Sequence, residues 1–139
     1  MKIRLANPTD APQIADLNEV FVSVTSPMDA QRFLELFELC SYCLVVEDGE
    51  RLLGFVMAMR NAAPYDNGNY QWFEARVQCM VYVDRIVLAA DARGQGLGCQ
   101  LYAELSKLAL ADGCGVMTAE MDIEPPNAHS LHFHSKQGF

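Results

Sequence analysis

What this chain lacks narrows its function before any motif is read. It has no stretch near the roughly 18 apolar residues that a membrane-spanning helix needs. The opening Met1-Lys2-Ile3-Arg4-Leu5-Ala6-Asn7-Pro8 carries no long apolar run, so it does not read as a secretion signal, and the cytoplasm is the expected location. Basic residues are scarce: 10 Lys and Arg stand against 18 Asp and Glu, for a net charge of −8. No basic stripe is visible, which argues against a nucleic-acid partner. An acidic surface keeps a small protein soluble and also suits a cationic substrate such as an amine. Cysteine is present but in no useful framework. Cys40, Cys43, Cys79, Cys99 and Cys114 are odd in number, which argues against a disulfide scaffold. Cys40 and Cys43 form a Cys-x-x-Cys without a second pair, and the histidines lie far off at His129, His132 and His134. No metal site is therefore expected. The pair closes a helical pattern rather than opening one, so buried thiols are the plain reading.

What is present is a chain able to build a core. It is 51% hydrophobic and 20% charged over 139 residues, which suits one domain spanning residues 1–139. No repeat or low-complexity tract interrupts it. Lys2 to Ala6 reads as a short strand. Asn7-Pro8-Thr9-Asp10 is a helix start, followed by Ile14, Leu17, Phe21 and Val24 at helical spacing. Ser26-Pro27-Met28-Asp29 starts a second helix, with Phe33, Leu36, Phe37 and Cys40 inward. Strands follow at 42–47 and 52–59, joined as a hairpin by Asp48-Gly49-Glu50. A polar loop over 61–69 leads to an aromatic cluster at Tyr70, Trp72 and Phe73. The pattern then predicts a strand over 78–88, a helix over 96–110 with Leu97, Leu101, Leu105 and Leu108 on one stripe, a strand over 116–123 and a last helix over 127–136. The expected class is α/β (α+β), a mixed sheet covered by helices.

The segment that carries chemistry is Arg93-Gly94-Gln95-Gly96-Leu97-Gly98, between a strand and a helix. Three glycines in five positions let the backbone approach a ligand and turn several N–H groups one way. The helix N-terminus adds partial positive charge, so the ligand is a phosphate or pyrophosphate. A P-loop would need a lysine and a hydroxyl residue that are missing here. A dinucleotide fingerprint fails in both frames, because its third glycine falls on Cys99 or Leu101.

What fits is Arg-x-x-Gly-x-Gly, which resembles the pyrophosphate loop of the GCN5-related N-acetyltransferase (GNAT) superfamily. The resemblance also rests on Val83-Asp84-Arg85-Ile86-Val87-Leu88, similar to that family's fourth strand, and on Thr118-Ala119-Glu120-Met121, similar to its fifth. Asn127 to Phe139 resembles its Asn-x-x-(Ala/Ser)-x-x-Phe-Tyr-x-Lys-x-Gly-Phe segment. The Tyr70 to Phe73 cluster and Glu124-Pro125-Pro126-Asn127 resemble a subgroup of bacterial acetyltransferases of unassigned substrate. The resemblance implies a mostly antiparallel central sheet with helices on both faces. Family members usually carry one or two further strands, so a bare fifth-strand edge is expected here, open to a second copy in a homodimer.

Acetyl-CoA is the co-substrate that the resemblance implies, and a small-molecule or peptide amine is the acceptor. The pantetheine arm would lie beside Ile86, Val87 and Leu88, with the Leu88 amide donating to the thioester carbonyl. Arg93, Gly94, Gln95, Gly96, Leu97 and Gly98 would hold the pyrophosphate, and Asn127 and Ser130 the other wall. A base must deprotonate the amine. Glu120 matches the family's Glu-Val pair, although a spacing of five before Asn127 selects Asp122. Asp84, taken to share a strand face with Ile86 and Leu88, is a third candidate. His134 stands where the family has the tyrosine that protonates the leaving thiolate, a task an imidazolium also performs. Tyr70, Trp72 and Phe73 would shape the acceptor pocket, or simply cover the sheet. The competing reading keeps the fold and the coenzyme but not the catalysis.

Overall fold

The computed structural model describes residues 1–21 and 25–119. The strand extension to 123 and the helix over 127–136, and with them Glu120, Asp122, Asn127, Ser130 and His134, fall outside the described residues, as does Val24.

Among the described residues nine helices and strands carry the fold in chain order: β1 (Lys2–Leu5), α1 (Ala11–Val20), α2 (Ala30–Leu39), β2 (Tyr42–Asp48), β3 (Arg51–Arg60), α3 (Gly68–Glu74), β4 (Val81–Leu88), α4 (Leu97–Ala111) and β5 (Met117–Ala119). Short 3-10 turns at Pro8–Asp10 and Ala90–Ala92 lead into α1 and out of β4. The strands form one sheet in the order β1-β2-β3-β4-β5. Every neighbouring pair is antiparallel except β4 and β5, which α4 joins in parallel.

The start signals work as read. Asn7 Oδ1 accepts from Thr9 N–H at 3.0 Å, and the Asp10 carboxylate takes the Asn7 N–H at 2.9 Å, a reciprocal cap. Asp29 Oδ1 accepts from Arg32 N–H at 2.7 Å and begins α2. Arg4 clamps Asp10 through two nitrogens at 2.9 and 2.8 Å, fastening β1 to the first turn. That donor is the leading cause that holds the Asp10 carboxyl below its ordinary range.

Two cores result, one on each face of the sheet. Ile14, Phe33 and Leu36 from α1 and α2 pack on Val45, Phe55, Met57, Tyr82 and Val87. Leu97, Leu101, Tyr102 and Leu105 from α4 pack on Leu44, Val46, Val56, Val81 and Val83. The α4 stripe is broader than Leu-only spacing suggests: Tyr102 and Ala109 join it, while Leu108 is only half-buried.

Two expectations need correction. The strand predicted over 78–88 begins at Val81. The tract after the 61–69 loop is a helix, not an unstructured aromatic cluster. Asn67, which reads as a turn residue before Gly68, is its N-cap and takes the Tyr70 N–H at 3.0 Å. Tyr70 and Phe73 then fall on the inner side of α3, where each meets Tyr82 of β4, at 5.5 and 5.9 Å between ring centroids.

Candidate active site

The site is built on β4 and on one extra residue within it. β3 and β4 pair as Ala58↔Val83 and then Met57↔Arg85, so Asp84 has no partner of its own and forms a β-bulge. The bulge decides which groups face where. Ahead of it, Val81 N–H donates to Val116 O at 2.8 Å, toward β5. Beyond it, Ala89 N–H donates to Leu53 O at 2.8 Å, toward β3. Strand alternation then turns the amides of Arg85 and Val87 toward β3 and those of Ile86 and Leu88 away from it. Among the described residues, β5 pairs only with Val81–Val83, so that edge of Ile86 and Leu88 meets no strand there.

The same extra residue corrects the expected position of Asp84. Ile86 and Leu88 pack against the α4 core, as Val83 does. Asp84 instead lies with Arg85 on the α1 and α2 side, where two consecutive side chains share one face. Its Oδ2 accepts from Arg85 Nε at 2.7 Å and its Oδ1 from the Tyr65 hydroxyl at 2.6 Å. The Arg85 and Asp84 side chains are only 6% and 5% exposed. Arg85 Nη1 continues to Asn18 Oδ1 at 3.0 Å and to Ser26 O at 2.9 Å, and Asn18 Nδ2 also donates to Ser26 O at 3.0 Å. A buried polar chain therefore runs from the loop before α3, through the bulge, to α1 and the segment before α2. Burial, with the Asp84 charge second, pushes the Tyr65 phenol well above its ordinary range, so it remains a donor to Asp84 at any physiological pH.

Neither Tyr65, Arg85, Asn18 nor Ser26 was among the sequence candidates. The available signal was modest: an Asp-Arg pair inside an apolar strand, and an asparagine four residues after Ile14 on the buried stripe of α1.

At the far end of β4 the chain turns through Ala90–Ala92 into the glycine segment. Gly94 and Gly96 have φ of +80° and +75°, the left-handed region that favours glycine. A Cβ built at either would meet nothing within 4 Å, so the space beside each glycine is open. Gly96 caps α4. Among the described residues, the backbone N–H groups of Gly94, Gln95, Gly96, Leu97 and Gly98 find no acceptor. Leu97 is only 2% exposed and points into the α4 core, so it serves the site through its backbone. The Arg93 guanidinium stacks over the Phe21 ring at 4.6 Å. Gln95 Nε2 reaches back to Asp91 O at 3.4 Å. Asp91 in turn is held by Arg51 at 2.9 and 2.7 Å, which ties the β2–β3 turn to the loop. β3 and β4 approach closely just before this turn: a Cβ on Gly54 would lie 2.5 Å from Leu88 Cδ2 and 2.8 Å from Val87 O.

The three aromatic candidates separate. Tyr70 is fully buried; its hydroxyl lies 2.6 Å from Arg60 O and 2.9 Å from Glu74 Oε2 and accepts the Ala63 N–H at 3.1 Å. It is a core residue rather than a pocket wall. Trp72 is 53% exposed, packs edge-on against Phe73 and carries Arg76 over its ring at 4.0 Å. Trp72 and Phe73, with Gly68 and Asn69, line an open cavity of about 340 Å³ beside α3. Cys40 and Cys43 are thiols whose titration burial drives upward, Cys43 to about 12. Among the described residues no cluster of three or more His, Cys, Asp or Glu is placed to hold a metal, and no helix is long and apolar enough to cross a membrane.

The acetyltransferase (GNAT) family pattern matches residues 12–139, nearly the whole chain. The protein belongs to this family. Its activity class is accordingly N-acetyl transfer. No curated protein sequence matches it. Solved structures share the fold at low identity. The aminoglycoside 6'-N-acetyltransferase AAC(6')-Ig from Acinetobacter haemolyticus superposes with a TM-score of 0.76 at 17% identity, over 100% of this chain and 90% of that one. AAC(6')-Iy, bound to the bisubstrate analog CoA-S-monomethyl-acetylneamine, gives 0.74 at 20% identity, over 99% and 89%. A ribosomal-protein-alanine N-acetyltransferase from Brucella melitensis biovar Abortus 2308 gives 0.69 at 20% identity, over 94% and 86%. For this GNAT chain they support the architecture, which among the described residues is a mixed sheet of five strands with helices on both faces.

Proposed function

We propose that the chain acts as one cytoplasmic acetyltransferase domain that takes acetyl-CoA as donor and a small-molecule or peptide amine as acceptor, by direct transfer. The observation that carries this reading is the open turn at Gly94 and Gly96, where a run of unclaimed N–H groups meets the start of a fifteen-residue helix. The residues fit a diphosphate: the donors are main-chain, the space beside both glycines is open, and the Arg93 guanidinium stands nearby. The coenzyme, when bound, supplies an acetyl thioester. Related structures in complex with CoA and with a CoA-linked bisubstrate analog support the donor.

The chain's own contributions follow from β4. Ile86 and Leu88 offer backbone groups at an edge turned away from β3, and the Leu88 N–H is the donor for an oxygen that gains charge during attack. Asp84 has one donor on each carboxylate oxygen and a further lone pair on each, enough to hold and orient an ammonium. Removal of the amine proton falls to Asp84 or Glu120, and protonation of the thiolate to His134. Trp72 and Phe73 border the acceptor side. A second copy covering the β5 edge completes the reading, and the molar mass in solution tests it.

Isothermal titration with acetyl-CoA tests the donor site. Wild type gives a saturable heat. Gly96→Val, which places a branched side chain in left-handed backbone and in the open turn, abolishes it with the far-ultraviolet dichroism unchanged. Retained affinity in that variant overturns the assignment. Thiol release against a panel of polyamines, aminoglycosides, amino acids and peptides identifies the acceptor. With that acceptor, Asp84→Asn lowers kcat/KM by about a hundredfold or more if the carboxylate handles the proton. Coenzyme binding without release for any amine would instead support the binding-module reading.

A further inference from the structure

Away from both glycine turn and bulge, two thiols meet where β4 and β5 begin. β4 and β5 run parallel with Val81 opposite Met117, and Val81 N–H donates to Val116 O at 2.8 Å. Cys79 lies two residues before Val81 and Cys114 two before Val116, so that hydrogen bond brings the two segments that carry them close together. The Cys114 thiol donates to Val116 O at 3.7 Å, and burial first, with the nearby Cys79 thiol among the further causes, holds it above its ordinary range. The surroundings fix both backbones. Asn61 Nδ2 donates to Val77 O at 3.0 Å, and its Oδ1 accepts the Met80 N–H at 2.7 Å, clamping the segment that carries Cys79. Cys114 N–H donates to Ala109 O at 2.8 Å beyond the left-handed Gly113 that ends α4.

The two thiols are not equivalent. Cys79 is exposed, whereas Cys114 is 1% exposed. Arg60, opposite Val81 in the next strand, brings Nη2 to 3.7 Å from Cys79 Sγ. Its Nε is buried and has no hydrogen-bond partner among the described residues. A fixed guanidinium thus sits where sulfur carries negative charge during attack on a disulfide. Burial pushes the Cys114 thiol up, so it suits the second step rather than the first.

We infer that Cys79 and Cys114 form a reversible thiol–disulfide site, which takes a low-molecular-weight disulfide such as oxidised glutathione and closes to an intramolecular bond. Cys79 attacks one sulfur of the oxidant, forming a protein–glutathione disulfide and releasing one glutathione, which takes up the Cys79 proton. Cys114 then attacks Cys79 Sγ, forming the Cys79–Cys114 bond and releasing a second glutathione with the Cys114 proton. The two thiols are oxidised by two electrons and the oxidant is reduced by two. Cys99 is also exposed but lies in the first turn of α4, at the other end of that helix from Cys114.

Treating the intact protein with oxidised glutathione, alkylating it in denaturant and mapping the peptides by mass spectrometry tests this directly. The expected product links the Cys79 and Cys114 peptides, with a loss of two hydrogens and two of the five thiols, and dithiothreitol reverses it. Cys114→Ser should stop at a glutathione adduct on Cys79. Cys79→Ser, a change at an exposed position that leaves the core intact, should leave Cys114 fully alkylatable. In the wild type, a glutathione adduct that persists on Cys79 beside a Cys114 thiol would overturn the inference. So would linkage of either cysteine to Cys99, or an inert Cys79.

Discussion

The two faces of the sheet do different work with different parts of the chain. On the α4 face the core is aliphatic: Val83, Ile86, Leu88, Leu97, Leu101 and Leu105 meet with scarcely a polar side chain between them, and the groups proposed to bind are main-chain N–H. On the α1 and α2 face the core holds Tyr65, Tyr70 and Tyr82 and admits Asn18, Asp84 and Arg85 in a hydrogen-bonded series. One face offers backbone donors on a smooth, rigid support. The other invests side chains, each dependent on the next, and is the costlier to perturb.

That contrast can be broken at several places. The largest effect is expected from Arg85→Met, which leaves the Asp84 carboxylate buried with the Tyr65 hydroxyl alone; urea unfolding should show a loss of about 3–5 kcal/mol. Adding Asp84→Asn should restore part of it, because the uncompensated charge is gone. Leu101→Ala, at a fully buried site of the aliphatic face, should cost about 2–5 kcal/mol, through cavity and transfer terms that no second polar change repairs.

Tyr70→Phe should cost about 1–3 kcal/mol, since the Ala63 N–H loses its acceptor and Glu74, which keeps the Ala62 N–H, loses one of its two donors. Its pH dependence sharpens the point. Burial, with the Glu74 hydrogen bond second, pushes the Tyr70 phenol up from 10.0 to about 12. The unfolded chain therefore releases this proton before the folded one does. The stabilisation is complete below pH 10 and falls as the pH climbs through 12. Urea midpoints on the alkaline side should fall more steeply for wild type than for Tyr70→Phe. The smallest effect should come from Arg51→Ala: the Arg51–Asp91 pair is 56% and 65% exposed, and its loss should leave the urea midpoint almost unchanged, all the more so at high salt.

Legibility in the sequence follows the same division. The α4 face could be read, because Leu97, Leu101 and Leu105 repeat at helical spacing and glycines at 94, 96 and 98 mark a turn whose backbone is proposed to bind. Apart from α3, the order of strands and helices was readable for the same reason. The other face resisted. A bulge leaves no compositional mark, so Asp84 was placed by simple alternation on the side of Ile86 and Leu88. Asn67-Gly68 reads as a turn although the asparagine caps a helix, which hid α3 and made Tyr70 look like a pocket residue. Asn18, Tyr65 and Arg85 come from three separate stretches, and only the folded chain brings them into one series.

The unpaired residue at position 84 makes this strand one residue longer than its pairing needs, so deletion and replacement should differ there. Removing one residue between Val83 and Ile86 would restore plain alternation, leaving Val83, Ile86 and Leu88 under α4 and the later main-chain groups facing their present neighbours. It would also take away one half of the buried Asp84–Arg85 ion pair. A shortened strand should therefore keep the sheet best when the surviving charged residue is made neutral as well.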